Sequence, residues 1–177
     1  MMKIILLLLV GFCPGLSFAQ SDLFKPQNEL IGTTISEIKI TDYLLNEPAN
    51  KNFNNKFKVL EFWATWCKPC LKAVPHLNKL RDKFSDSNLV FLSITYESPE
   101  VAQKVFSKVK FETIVVSDQT RTIHRALRVQ YNGTMPLPRT VLVDDQNRIV
   151  WYGSPKELSE KLIKRFLGKE SLETLSK

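Results

Sequence analysis

Val59-Leu60-Glu61-Phe62-Trp63-Ala64-Thr65-Trp66-Cys67-Lys68-Pro69-Cys70 sets an apolar stretch directly before two cysteines that two residues separate. The apolar part reads as a strand. After Pro69 the pattern turns helical, with Leu71, Val74, Leu77, Leu80 and Phe84 recurring three or four residues apart. A strand ending before Cys67 and a helix starting at it place that thiol at a helix N-terminus. Free backbone N–H groups and the helix dipole stabilise a thiolate there. Such thiols reach pKa values of ~3.5–7.5, against ~8.5 for an unperturbed cysteine. Lys68 adds a positive charge beside the same sulfur. Cys67 and Cys70 can close or open a disulfide at little conformational cost, so the segment has the chemistry of a thiol–disulfide pair.

Two blander readings compete. A Cys-x-x-Cys pair can be half of a zinc site, which needs four ligands. Of the three cysteines the remaining one is Cys13, and only His76 and His124 could complete the set, at positions matching no zinc-finger spacing. No metal is expected. A purely structural disulfide closing so short a loop fastens no distant segments, and its entropic value is small.

The chain has 177 residues, enough for one domain with a real core. Apolar content of 44% and charged content of 24% describe a globular protein. Residues 1–19 read as a cleaved secretory signal: Lys3 is the positive start, Ile4 to Val10 the apolar core, and Ser17-Phe18-Ala19 the cleavage site. Cys13 follows Phe12, not a run of small residues, so it reads as part of the leader and not as a lipid anchor. That leaves Cys67 and Cys70 as the thiols of a mature protein in the periplasm or cell envelope, where disulfides persist. The net charge of +7 is spread over Lys79–Lys83, Lys104–Lys110 and Lys161–Lys169. These clusters alternate with apolar residues as solvated helix faces do, without a base-stacking aromatic pattern, which argues against nucleic-acid binding.

Residues 20–34 read as a linker and residues 35–177 as one domain. Ile35 to Ile40 alternates with period two, predicting a half-exposed strand. Asn46 to Lys56, with five Asn and one Pro, reads as a loop. Strands are expected over Phe57–Trp63, Leu89–Ile94, Thr113–Val116, Thr140–Val143 and Arg148–Tyr152. Helices are expected from Pro69, from Ser98 to about Val109, over Thr120–Leu127 and over Pro155–Leu167. Pro75 falls inside the first helix, where it removes one hydrogen bond and predicts a kink. Strands alternating with helices and closing on a hairpin imply a three-layer α/β domain.

From Ile35 to Leu167 the chain resembles the thioredoxin-like superfamily, and within it the exported TlpA/ResA-type thiol–disulfide oxidoreductases. The segment Phe62–Cys70 is similar to the family's active-site segment, Pro75 to its kink proline, and Pro138-Arg139-Thr140-Val141-Leu142-Val143-Asp144 to its cis-proline loop and following strand. Ser98 to Val116 resembles the helix–strand insertion of this branch. The resemblance implies a thioredoxin-like three-layer sandwich: a central mixed sheet, helices on both faces, and an inserted helix–strand element. A cis X–Pro bond costs only ~0.5–1 kcal/mol. At Pro138 it would leave the Leu137 backbone to pair with an extended substrate peptide. Pro136 is the rival, and the distance to the strand favours Pro138. Glu61, six residues before Cys67, stands where thioredoxins carry a buried acid and many TlpA-type proteins carry Asn. Burial would raise its pKa and suit it to exchange a proton with Cys70. Trp66 is expected on the binding surface, Trp63 in the core, and His76 and His124 at the surface or in caps. Lys68 and Pro69 tune the redox pair.

The implied activity is reduction of protein disulfides by Cys67, with Cys70 resolving the mixed disulfide. It needs no bound cofactor, acts as a monomer, and takes electrons from a membrane thiol donor. One rival is a peroxiredoxin. That group's pattern resembles Pro-x-x-x-Thr-x-x-Cys, but Thr65 stands one residue too close to Cys67. Another is a copper chaperone using both thiols and His124, although that group has Cys-x-x-x-Cys.

Overall fold

The computed structural model describes residues 25–172 apart from 37 and 41. The leader reading for 1–19, Cys13 and the start of the linker lie outside the described residues. Eleven elements follow one another: α1 (Lys25–Asn28), β1 (Asp42–Leu45), β2 (Phe57–Phe62), α2 (Lys68–Lys83), β3 (Leu89–Thr95), α3 (Pro99–Phe106), β4 (Ile114–Ser117), α4 (Thr122–Ala126), β5 (Arg139–Val143), β6 (Ile149–Gly153) and α5 (Glu160–Leu167). The strands form one sheet in the order β1-β4-β3-β2-β5-β6. Strands β2, β3 and β4 run parallel, while β5, β6 and β1 are antiparallel to their neighbours. The α3–β4 unit extends the sheet beyond β3, where the insertion was expected.

β2 is buried along its whole length because the sheet is covered on both faces. Its Phe57 and Val59 pack with Leu77 and Leu80 of α2 and with Leu162, Ile163 and Phe166 of α5. Its Leu60 and Phe62 point the other way, into a cluster with Val116, Ile123, Leu127 and Tyr152. A third cluster gathers Trp63, Cys67, Cys70 and Val74 against Ala102 and Phe111. By this alternation Glu61 lies on the face covered by α2, the helix that carries the cysteines.

Among the described residues of 35–40 no strand forms. Just before them Thr34 makes an isolated bridge to Arg148, and the first strand among the described residues is Asp42–Leu45 against β4. Ile35, Ile38 and Ile40 pack on the core without entering the ladder, so their alternation marks one-sided burial and not strand pairing. Part of the expected linker is also docked. Gln27 Nε2 donates to the Arg128 carbonyl at 2.9 Å, and Gly32 N–H donates to the Ile149 carbonyl at 2.7 Å. The last helix begins at Glu160, not Pro155, because Ser159 caps it: its hydroxyl accepts from Leu162 N–H at 3.2 Å. Pro75 lies inside the 16-residue α2 on its exposed side.

Candidate functional site

β2 ends at Phe62, and the chain turns through Trp63–Trp66 to reach Cys67, the N-cap of α2. Cys67 Sγ accepts a hydrogen bond from Cys70 N–H at 3.3 Å, so the first sulfur already sits on an N–H group at the helix start. Pro69 falls in the first turn, where its missing donor costs nothing. Cys67 and Cys70 are joined by a disulfide with Cα atoms 5.3 Å apart. Cys70 Sγ lies 4.0 Å from the Phe62 carbonyl oxygen, an acceptor for its S–H once the bond is reduced. Both sulfur-bearing residues are buried beside Trp63 and Val74, whereas Lys68 is exposed.

The turn before Cys67 is braced by a residue the sequence reading missed. The Glu97 carboxylate accepts from Thr65 N–H at 2.6 Å and from Thr65 Oγ1 at 2.8 Å. The Glu97 carbonyl accepts from Ser117 Oγ at 2.7 Å, tying the brace to β4. A signal existed: Glu97 lies two residues past the end of β3, at the carboxyl end of a parallel strand, where α/β sites are built. Next to it, Tyr96 Oη accepts from Trp66 Nε1 at 2.9 Å, and the Arg121 guanidinium lies 4.6 Å from the Tyr96 ring centroid. Trp66 nevertheless remains 59% exposed, a large apolar face one residue from the disulfide.

The peptide bond between Leu137 and Pro138 is cis, which settles the choice between the two prolines. Leu137 is half-buried and touches both the cluster holding the cysteines and the main core. Two residues after Pro138, Thr140 stands directly opposite Glu61 in the β2–β5 ladder. Its hydroxyl donates to Glu61 Oε2. Glu61 Oε1 is buried and takes no hydrogen bond from the described residues. Burial holds the Glu61 carboxyl well above the ordinary 4.5, and the Thr140 hydrogen bond pulls it part of the way back. Arg139, between Pro138 and Thr140, is buried with its guanidinium 5.6 Å from the Tyr152 ring, and burial lowers its pKa to about 10.

His124 corrects the sequence reading, which placed it at the surface or in a cap. It is fully buried, its Nδ1 is 2.7 Å from Asp118 Oδ2, and its ring meets the edges of Phe62 and Tyr96. Burial pushes the Asp118 carboxyl up, but its hydrogen bonds with His124 and Thr122 outweigh this and hold it below its ordinary value. His76 is exposed, with Nε2 2.7 Å from the Leu158 carbonyl. Among the described residues no three or more His, Cys, Asp or Glu side chains come together as a metal-binding group, so His124 is not gathered with Cys67 and Cys70.

Residues 31–152 match the family model described as AhpC/TSA. The chain is 26% identical over 163 residues to the thiol-disulfide oxidoreductase ResA of Bacillus cereus, covering 90% of both proteins. It is 27% identical over 120 residues to ResA of Geobacillus kaustophilus, covering 67% of this chain and 66% of that protein. Among solved structures, it resembles the thioredoxin domain of a Bacteroides vulgatus thiol-disulfide oxidoreductase. The TM-score is 0.60 and the identity 22%, over 77% of this chain and 97% of that one. It also resembles the reduced 2-Cys peroxiredoxin of Plasmodium vivax, with TM-score 0.63 and 17% identity over 79% of this chain and 95% of that one. The fold is therefore thioredoxin-like, and with its family model spanning most of the sequence the chain belongs to the AhpC/TSA family.

Proposed function

We propose that this protein is an exported thiol–disulfide oxidoreductase that reduces disulfides in other proteins through Cys67 and Cys70. The observation that carries this reading is the Cys67–Cys70 disulfide at the start of α2, with Glu61 buried on the sheet face that α2 covers. In the reduced protein, the Cys67 thiolate attacks one sulfur of a substrate disulfide. That bond breaks, one substrate sulfur leaves as a thiolate that takes a proton from water, and a Cys67–substrate disulfide forms. Cys70 then loses its proton and attacks Cys67 Sγ, releasing the second substrate thiol. Two electrons have passed to the substrate, and the protein holds its internal disulfide again. A membrane thiol donor returns the electrons by the same exchange in reverse.

Glu61 is assigned the proton of Cys70, since burial raises its pKa and makes it a stronger proton acceptor than an exposed carboxylate. Trp66 offers the substrate an apolar face, and Leu137 offers backbone for an extended segment. Lys68 favours the anionic form of Cys67, and Pro69 fixes the first turn of α2. Export rests on the leader pattern of residues 1–19. The peroxidase alternative asks for a threonine three residues before the reactive cysteine. Here Thr65 is one residue nearer, and its hydroxyl is committed to Glu97.

The assignment of roles is tested by alkylation of the reduced protein. Cys67 is expected to be labelled first, at pH values well below its ordinary ~8.5, because it caps the helix while Cys70 lies a turn inside. Peptide mapping that finds Cys70 labelled ahead of Cys67 would reverse the roles.

A further inference from the structure

A groove of about 490 Å³ opens along α2, lined by Lys68, Lys72, Ala73, His76, Pro155 and Lys156, and by Pro69. Lys68, Lys72 and His76 follow one another four residues apart, so they form a single stripe on the helix. At ~1.5 Å per residue the stripe runs about 12 Å away from the redox motif. The opposite wall is the turn after β6, where Pro155 is buried and Lys156 exposed. His76 fastens that wall to the helix through the Leu158 carbonyl at 2.7 Å. Ala73 and the two prolines give an apolar floor. None of Lys68, Lys72 and Lys156 is in an ion pair with a carboxylate of the described residues. The neighbouring Glu157 carboxylate turns back to accept from Ser154 N–H at 2.6 Å.

We infer that this groove is the specificity site for substrate proteins, holding an acidic segment next to the cysteine that Cys67 attacks. The inference rests on the oxidoreductase reading and extends it to a substrate class. Three lysine ammonium groups around an apolar floor complement carboxylates on a backbone lying along the stripe. The length suits about three or four extended residues at ~3.3 Å each. Lys68 and Pro69, the two residues between the cysteines, line the end of the groove nearest the redox motif. Like charges would be turned away, which gives specificity as well as encounter rate.

Binding can be read without turnover. Fluorescent peptides with one Ser in place of the target Cys, flanked by Asp and Glu or by Lys and Arg, are titrated into the oxidised protein by anisotropy. The acidic peptide is expected to bind at least tenfold more tightly at low salt, with the preference shrinking as salt rises. In Lys72→Glu/Lys156→Glu the preference is expected to vanish or invert, and in Lys72→Gln/Lys156→Gln to fall part of the way. Equal affinity for the two peptides in the unmodified protein would overturn the proposal. So would a preference that survives both variants. Variants that lose binding to phosphatidylglycerol vesicles but never distinguished the peptides would overturn it in favour of a lipid surface. An acidic peptide that binds while its disulfide-bearing version is never reduced would count against the redox reading and uphold the charge preference of the groove.

Discussion

A Cys70→Ser protein is expected to collect disulfide-bearing partners as covalent adducts on Cys67, whereas Cys67→Ser is expected to collect almost none. The first sulfur caps α2 and takes an N–H hydrogen bond from Cys70, a position that favours a thiolate in the proposed mechanism. Without the second thiol, nothing inside the protein can release the mixed disulfide. Non-reducing electrophoresis of exported extracts should then show higher-mass species that collapse on reduction. Mass spectrometry of those species would name the substrates. In Cys67→Ser the remaining thiol lies inside the helix against the Phe62 carbonyl, poorly placed to ionise, and exchange should fall to background. Adducts of equal abundance in the two variants would refute the division of labour.

Glu61→Gln should leave attack by Cys67 nearly unchanged and slow resolution by ~10²-fold or more, the usual contribution of a positioned acid or base. The amide keeps the acceptor for Thr140 Oγ1, so the change removes the titration and not the hydrogen bond. Rapid-quench measurement of mixed-disulfide formation and decay separates the two steps. Unchanged decay would remove Glu61 from the mechanism. The same variant has a stability signature. The carboxyl binds its proton more tightly in the folded chain than in the unfolded one, where its pKa is about 4.5. The folded state therefore holds more protons above that pH, and stability falls as pH rises through the folded pKa. Urea midpoints measured from pH 4 to 9 should decline in the unmodified protein and flatten in Glu61→Gln.

The elements that build this site were legible because their patterns are strong. β2 is mostly apolar, with Lys58 and Glu61 as its two charged residues, and α2 repeats Leu71, Val74, Leu77 and Leu80 over several turns. Glu61 stood out as a charge inside a strand with no exposed face. Its partner did not, because the pairing of Glu61 with Thr140 depends on the β2–β5 register, a long-range fact that no local period encodes. The segment over 35–40 misled for the opposite reason: its alternation is real, yet the side chains pack on the core while the backbone bypasses the ladder. β1 escaped notice because four half-buried residues carry too short a pattern. His124 looked like a surface histidine until Asp118, six residues earlier, was folded against it. Of the lysines in the basic stripe of α2 only Lys68 was singled out, and the facing wall comes from the turn after β6, about eighty residues away in sequence.

One competition measures whether Cys67 passes electrons to disulfides or to peroxide. The fully reduced protein is mixed with equal concentrations of a disulfide-bridged peptide and hydrogen peroxide, quenched with acid at intervals, and analysed by mass spectrometry. The expected result is one peptide disulfide reduced for each Cys67–Cys70 disulfide formed, with peroxide consumed far more slowly. Rapid peroxide loss through a sulfenic acid on Cys67, with the peptide left oxidised, would contradict the account and make the protein a thiol peroxidase.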